Sequence, residues 1–549
     1  MSEMNGEKRV LALYDVRGIQ SYIFRRKRVK DAIGASKLIE NIVSNALKNA
    51  IENEEKVTCQ LEWYDDSGIK KYKSTDKKDI EVLFIGGGNA YVMFSNEELC
   101  KKINRKMSYY ILKNTYSLPL AIAYIDQGNL YAEDYKKLND KMNQVKADMP
   151  MTKPLGALPI MKTELETGYP MSNEGGSTET LLKKNAVDSS EKRENQQEKD
   201  FESYISQKGV DSMLAVVHID GNSMGIRIRN YIKDKTDYSE AVNAMRTVSY
   251  HIKKSYRTVF EGMKQFFETS SERLPEFEKK KTNLFVREIL VAGDDVTYVC
   301  NAKIALATVE YFCREITKYS LNGETDDKSI KDYGFSVCAG VAYFGSHFPF
   351  GTAYKVAEAC CHSAKEKAKK KENRDGDRIG NFVDFHICRN VHALNFKEMR
   401  MREYRTSHGE NLLIRPYFVR TEIDSEADEK TENKSGFDTA ANSCYSFEKF
   451  KSAVNHFQDE RKIPRSFAKA LRNTYALGKN QMELLCSFLD SRGWKMPKEN
   501  SEKQSTESSG DRMYENGNVA RWFDALEMMD YYIDLSKFGG TTDEDVHKD

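Results

Sequence analysis

Ile289-Leu-Val-Ala-Gly-Asp-Asp295-Val-Thr-Tyr-Val-Cys300 decides the fold. Two apolar, β-branched arms flank a Gly-Asp-Asp turn, which is the chemistry of a β-hairpin. Some 70 residues upstream a buried strand, Leu214-Ala-Val-Val-His-Ile-Asp220, is followed by Gly221-Asn-Ser-Met-Gly225. The same pair occurs once more, earlier in the chain. Val10-Leu-Ala-Leu-Tyr-Asp15 is followed by Gly18, and roughly 73 residues later comes the hairpin Val82-Leu-Phe-Ile-Gly-Gly-Gly-Asn89-Ala-Tyr-Val-Met-Phe94. A repeat of about 205 residues is too long for a solenoid and predicts two related domains.

Helical periodicity between strand and hairpin covers Ala32 to Ala50 in the first copy and Tyr238 to Phe267 in the second. After each hairpin come a helix and another strand, Leu118 to Tyr124 and Phe335 to Tyr343. The order β-α-α-β-β-α-β predicts an α+β fold: two ferredoxin-like palm domains, each an antiparallel sheet backed by helices. Apolar positions within 446–454, 465–471, 481–489 and 520–526 recur at helical spacing and predict a C-terminal helical domain.

Polar stretches rich in Ser, Glu, Lys, Asn and Gly, at 171–200, 425–443 and 497–511, read as linkers or mobile loops. The expected division is a first palm over 1–170, a linker over 171–205, a second palm over 206–390 and a connector with helices over 391–549.

The chain has 549 residues, 40% of them hydrophobic and 31% charged, with a net charge of +1. That is a globular composition without the strong field of a dedicated nucleic-acid coat. No apolar run approaches the roughly 18 residues a membrane span needs, and the start has no secretion signal, so a cytoplasmic protein is expected. The 10 cysteines form no CxxC pair and read as buried thiols.

Asp220, Asp294 and Asp295 meet where strand end and hairpin tip adjoin. Adjacent carboxylates repel, and hard oxygen ligands suit magnesium or manganese. Two such ions can clamp the attacking 3′ oxygen and the triphosphate of an in-line phosphoryl transfer. An Asp-Asp type I′ turn would explain the hairpin alone, since Asp tolerates positive φ; it does not explain Asp220.

Gly221, Asn222, Ser223, Met224 and Gly225 could bring backbone amides to a triphosphate, although such residues also make ordinary turns. Lys365 or Lys369 could reach phosphates from a later helix. The first copy has Gly88-Asn89 in place of the aspartate pair and is expected to be catalytically silent. Its Gly-rich hairpin could still admit a second nucleotide.

Asp15-Val-Arg-Gly-Ile-Gln-Ser-Tyr-Ile-Phe, Gly34-Ala-Ser36, Gly86-Gly-Gly-Asn89, Ala292-Gly-Asp-Asp295, Cys361-His-Ser-Ala-Lys365 and Leu412-Leu-Ile-Arg-Pro-Tyr417 together resemble the polymerase/cyclase large subunit of type III CRISPR effectors, the Csm/Cmr family. The resemblance covers about residues 8 to 420. It implies two GGDEF-like palms that bind ATP and join it into cyclic oligoadenylates, in CRISPR-linked or anti-phage signalling.

Carried over, two divalent ions would be held by Asp220 with its neighbour Ile219, Asp294 and Asp295. Gly86, Gly87, Gly88 and Asn89 would face the acceptor nucleotide, with Ser36, Gly293 and Lys365 as further nucleotide contacts. Other Cas proteins, guide or target RNA and a downstream cyclic-nucleotide receptor are the implied partners. Three departures stand out: the first palm starts at about residue 8, so no His-Asp nuclease domain is expected; 158–170 lacks the usual zinc-binding cysteines; and Ala292 replaces a Gly. They favour a compact, free-standing synthase. Two alternatives are a nucleotide-binding scaffold subunit of a ribonucleoprotein and a GGDEF-type cyclic dinucleotide synthase using GTP.

Overall fold

The computed structural model describes residues 8–26, 29–52, 54, 56–76, 78–86, 88–149, 158–190, 201–280, 282–324, 334–391, 395–421, 436–497, 513–516 and 518–539. It has two palms and a helical C-terminal part, as the periodicities predict.

In the first palm, β1 (Val10–Val16) leads through α1 (Ile19–Ile23), α2 (Val29–Glu40) and α3 (Ile42–Ile51) to an edge strand β2 (Cys59–Gln60). The hairpin β3 (Ile80–Gly86) and β4 (Asn89–Phe94), α4 (Glu97–Thr115), β5 (Leu120–Asp126) and α5 (Tyr131–Asp148) complete it. The strand order is β2-β3-β4-β1-β5.

The second palm repeats this with β6 (Met213–Gly221), α7 (Met224–Lys233), α8 (Tyr238–Ser271), the hairpin β7 (Val286–Ala292) and β8 (Asp295–Asn301), α9 (Ala305–Ile316), β9 (Val337–Gly345) and α10 (Phe350–Ala368). Two strands not expected from the sequence, β10 (Asn381–Ile387) and β11 (Tyr417–Val419), extend it to the order β11-β10-β9-β6-β8-β7. β10 lies parallel to β9, which is the geometry a helical crossover such as α10 permits.

The repeat is preserved in register. Asp15 pairs with Asn89 across β1 and β4, and Asp220 pairs with Asp295 across β6 and β8. β6 is buried on both faces, which its continuous apolar run anticipates.

The palms are joined by α8, which runs through the hydrophobic clusters of both. Its first turns bury Tyr238, Ala241, Val242 and Met245 with residues of the first palm. Its later turns bury Tyr256, Phe260, Met263 and Phe267 in the second. At the crossing point Arg246 is fully buried and donates to the carbonyls of Leu83 (2.7 Å), Lys70 (2.7 Å) and Val82 (2.8 Å) and to Glu81 (3.3 Å). Asn243 exchanges hydrogen bonds with the backbone N–H and C=O of Tyr72. On the other side of the junction Phe24 stacks on Tyr354 with centroids 3.6 Å apart.

Two of the three stretches expected to be linkers carry packed helices. Within 171–205, α6 (Thr178–Ser190) lies against α2, and both Glu179 and Lys183 are fully buried. Lys183 donates to the Tyr22 carbonyl and to Glu179, which also accepts from Arg25 and Ser117. Charged residues paired in this way can be buried, so a polar composition misreads the segment. Within 425–443, a helix over Gly436–Asn442 buries Phe437 and Ala440. Of 497–511, all but Pro497 lies outside the described residues.

The C-terminal helices α11 (Phe447–Gln458), α12 (Arg465–Tyr475), α13 (Lys479–Ser491) and α14 (Phe523–Met528) pack into the same core as the second palm. Asp524 on α14 accepts from the N–H groups of Ile414 and Arg415 and from the Tyr417 hydroxyl, which ties that domain to β11.

Candidate functional site

The site forms where the tips of the two hairpins line one cleft. The turn that carries the aspartates has Gly293 and Asp294 between the paired residues Ala292 and Asp295. Gly293 has φ +66°, and Asp294 is not among the described residues with positive φ. A type I′ turn needs positive φ at both central positions, so the turn does not account for Asp294. Its carboxylate is free to serve another purpose.

Asp294 reaches back over the end of β6. A side chain at Gly221 would stand 2.8 Å from Asp294 Oδ2 and 2.8 Å from the Tyr256 hydroxyl, so only glycine fits there. Asp220 forms an ion pair with Lys365, whose ammonium also donates to the Gly221 carbonyl at 3.1 Å. Asp295 Oδ2 accepts from Gln20 of the first palm at 3.4 Å. Its other oxygen has His218 Nδ1 at 3.4 Å and is buried without a hydrogen bond, as are the hydroxyls of Tyr256 and Tyr354.

Three carboxylates against one lysine leave negative charge uncompensated. Burial, and then the nearby Asp220, push Asp294 and Asp295 up to about 7. Burial lowers His218, so it faces Asp295 as a neutral ring. Among the described residues no three His, Cys, Asp or Glu side chains form a ready ligand set, since Asp220 is turned to Lys365. The donors nonetheless fit a hard divalent cation, given an orphaned buried carboxylate oxygen and an all-oxygen set.

A stability prediction follows. Both carboxyls ionise near 3.8 when unfolded and near 7 when folded, so between these values the native protein holds more protons. Stability from this pair is full below the unfolded value and lost as pH rises through about 7. Thermal melts in chelator are expected to show Tm falling between about pH 4 and about pH 7, with magnesium restoring it at the upper end. Asp294→Asn/Asp295→Asn is expected to remove both effects, and a magnesium response that persists in that variant would contradict the assignment.

In front of the carboxylates lies a cleft of about 1540 Å³ walled by both palms. Of the residues expected from the sequence, Ser36, Gly86, Gly88 and Asn89 line it from the first palm, and Met224, Gly293, Asp294 and Asp295 from the second. Gly87 lies outside the described residues. Gly221, Asn222, Ser223 and Gly225 form the turn from β6 into α7. Asn222 is buried and donates to Ser336 and to the Gly380 carbonyl, which makes it a brace for that turn. Ser223 sits at φ +53° before the first turn of α7, whose leading N–H groups suit an anion. Ile219 pairs with Val296 and Ala339 in the ladders and packs its side chain into the core; only its backbone carbonyl could serve a cation.

Sequence reasoning missed Gln20, His218, Tyr256 and Tyr354. Gln20 sits inside a motif quoted for the resemblance, yet only the docking of the palms brings it to Asp295.

Among the described residues no helix is long and apolar enough to cross a membrane. Residues 213–379 match the family model described as Cas10/Cmr2, second palm domain. No curated protein matches the chain. Among solved structures, Csm1 in T. onnurineus aligns with a TM-score of 0.50 at 13% identity, covering 95% of this chain and 69% of that one. A Csm1–Csm4 cassette in complex with cA4 aligns at 0.49 and 12% identity, over 95% and 69%. One in complex with AMPPNP aligns at 0.47 and 13%, over 97% and 70%. At these identities the likeness is one of fold.

Proposed function

We propose, from the premise that residues 213–379 are a Cas10/Cmr2 second palm domain, that the chain is a nucleotidyltransferase that condenses ATP into cyclic or short linear oligoadenylates. One observation carries this reading: the equal registers bring the Gly88-Asn89 tip and the Asp294-Asp295 tip into the wall of a single cleft. Its volume exceeds the ~300–1,000 Å³ of an ordinary single-ligand pocket, which supports two nucleotides bound side by side.

In this reading the first palm orients the acceptor and the second the donor. The acceptor's 3′ oxygen forms a bond to the donor α-phosphorus, the bond to pyrophosphate breaks, and the 3′ proton leaves. Asp220, Asp294 and Asp295 would hold the divalent ions, which supply positive charge to the reacting phosphates when bound. Lys365 balances part of the carboxylate charge, and the first N–H groups of α7 face the donor's phosphates. Gln20 fixes Asp295 from across the cleft. Tyr354 and Phe24 close the junction and exclude water.

The test is mass spectrometry of products after incubating the protein with each ribonucleoside triphosphate and magnesium or manganese. A cyclic or linear oligoadenylate is expected; a product from GTP alone would favour a GGDEF-type synthase instead. We place the activity in CRISPR-linked signalling, with other Cas proteins and RNA as partners and a cyclic-nucleotide receptor downstream, and copurifying subunits or RNA would support that setting. Asn89→Ala is expected to raise the KM for ATP roughly five- to tenfold, the loss of one polar contact, while cation binding stays unchanged. Loss of cation binding in that variant would overturn the division of labour between the palms.

A further inference from the structure

Lys146 and Lys365 occupy equivalent places in the repeat. Each lies fifteen residues past the first residue of its helix, 146 against 131 in α5 and 365 against 350 in α10. Each makes an ion pair with the aspartate at the end of its palm's central strand. Lys146 Nζ is 2.5 Å from Asp15 Oδ2, and Lys365 pairs with Asp220. Arg17 donates to the Met149 carbonyl at 3.0 Å, which pins the end of α5 beside β1, next to the Lys146–Asp15 pair.

The surroundings differ in charge. In the second palm Lys365 faces three carboxylates, a set that attracts a divalent cation. In the first palm Gly88 and Asn89 stand where Asp294 and Asp295 stand in the second, so among the described residues Lys146 pairs with the single carboxylate of Asp15. A neutral site has no surplus negative charge to recruit a cation. The positive group near the hairpin tip is then the ammonium itself, and with 34% of the side chain exposed it is free to move to a stronger anion.

We propose that Lys146 binds the phosphates of the nucleotide in the first palm, taking the role that a divalent cation takes in the second. The inference rests on the reading of the first palm as a nucleotide site. Asp15 then stores the lysine in place until phosphate displaces it, and the first palm holds its nucleotide without a metal of its own.

The experiment is calorimetric titration of ATP in chelator, using Asp294→Ala/Asp295→Ala protein so that the second palm adds neither cation binding nor turnover. Cation-free binding is expected at a site that Asn89→Ala also weakens. Lys146→Ala should weaken that binding about tenfold or more, the range of a charged hydrogen bond. Lys146→Arg should retain it. Asp15→Asn frees the lysine and should leave binding equal or tighter. Opposite effects of Lys146→Ala and Asp15→Asn separate a phosphate ligand from a structural ion pair, because loss of a merely structural pair moves both variants the same way. Equal weakening in both, unchanged affinity in Lys146→Ala, or a strict need for magnesium in the Asp294→Ala/Asp295→Ala protein would overturn the inference while leaving the two-palm reading standing. Absence of ATP binding by the intact protein even with magnesium would overturn both.

Discussion

Asp294→Ala/Asp295→Ala is expected to reduce product formation from ATP by at least about a thousandfold, equivalent to ~4 kcal/mol of barrier. In the proposed reading the two side chains are two of the three carboxylates that hold the ions, and the third, Asp220, is already paired with Lys365. The fold should survive, because Gly293 and not Asp294 takes the positive φ of the turn. Removing two carboxyls that burial and Asp220 drive up to about 7 also relieves repulsion, so Tm at neutral pH without added metal is expected to hold or rise. Product mass spectrometry, circular dichroism and manganese binding on the same sample check all three parts. Full activity in the variant would remove the second palm as the catalytic site; loss of activity with a collapsed fold would leave the carboxylates without their assigned role.

Arg246→Ala is expected to cost about 3–5 kcal/mol of stability, the penalty for leaving a buried charge without its partner. The guanidinium satisfies three carbonyls and Glu81 inside the junction. Burial already raises the Glu81 carboxyl despite Arg246 beside it, so the truncated protein is expected to protonate Glu81. Urea denaturation of Arg246→Ala, Glu81→Gln and the double variant forms a cycle; the double variant should be more stable than the two single losses add up to. Product formation should fall with Arg246→Ala although the residue touches no nucleotide, because it seats one palm on the other. Additive losses with unchanged activity would show that the junction does not set the cleft.

The sequence disclosed what depends on local pattern. Alternation and turn residues placed both hairpins, and the repeated spacing placed Asp220 beside the Asp294-Asp295 tip; the registers Asp15–Asn89 and Asp220–Asp295 come from the ladders. It disclosed less where pairing is distant. Glu179 and Lys183 read as solvated because their partners, Arg25, Ser117 and Tyr22, lie more than sixty residues away. β10 and β11 join the sheet through parallel and long-range pairing, which leaves no turn signal. Helical periodicity merged α2 and α3 into one run, although the chain breaks between them near Asn41. Asp220 was legible as a candidate ligand, but its capture by Lys365 depends on how α10 lies across β6. The role of Asn222 as a brace depends on Ser336 and Gly380, which no local motif reveals.

The long helix α8 has a consequence for how the protein can be taken apart. Its N-terminal half completes the first palm and its C-terminal half completes the second, so any cut that separates the two repeats strands one end of the helix in water with its apolar side bare. A gene dissected at the repeat boundary would leave α8 whole on the C-terminal piece, with Tyr238, Ala241, Val242 and Met245 bare where the first palm covers them. Supplying the first palm as a separate piece should then restore that piece's solubility, so that solubility reports their association.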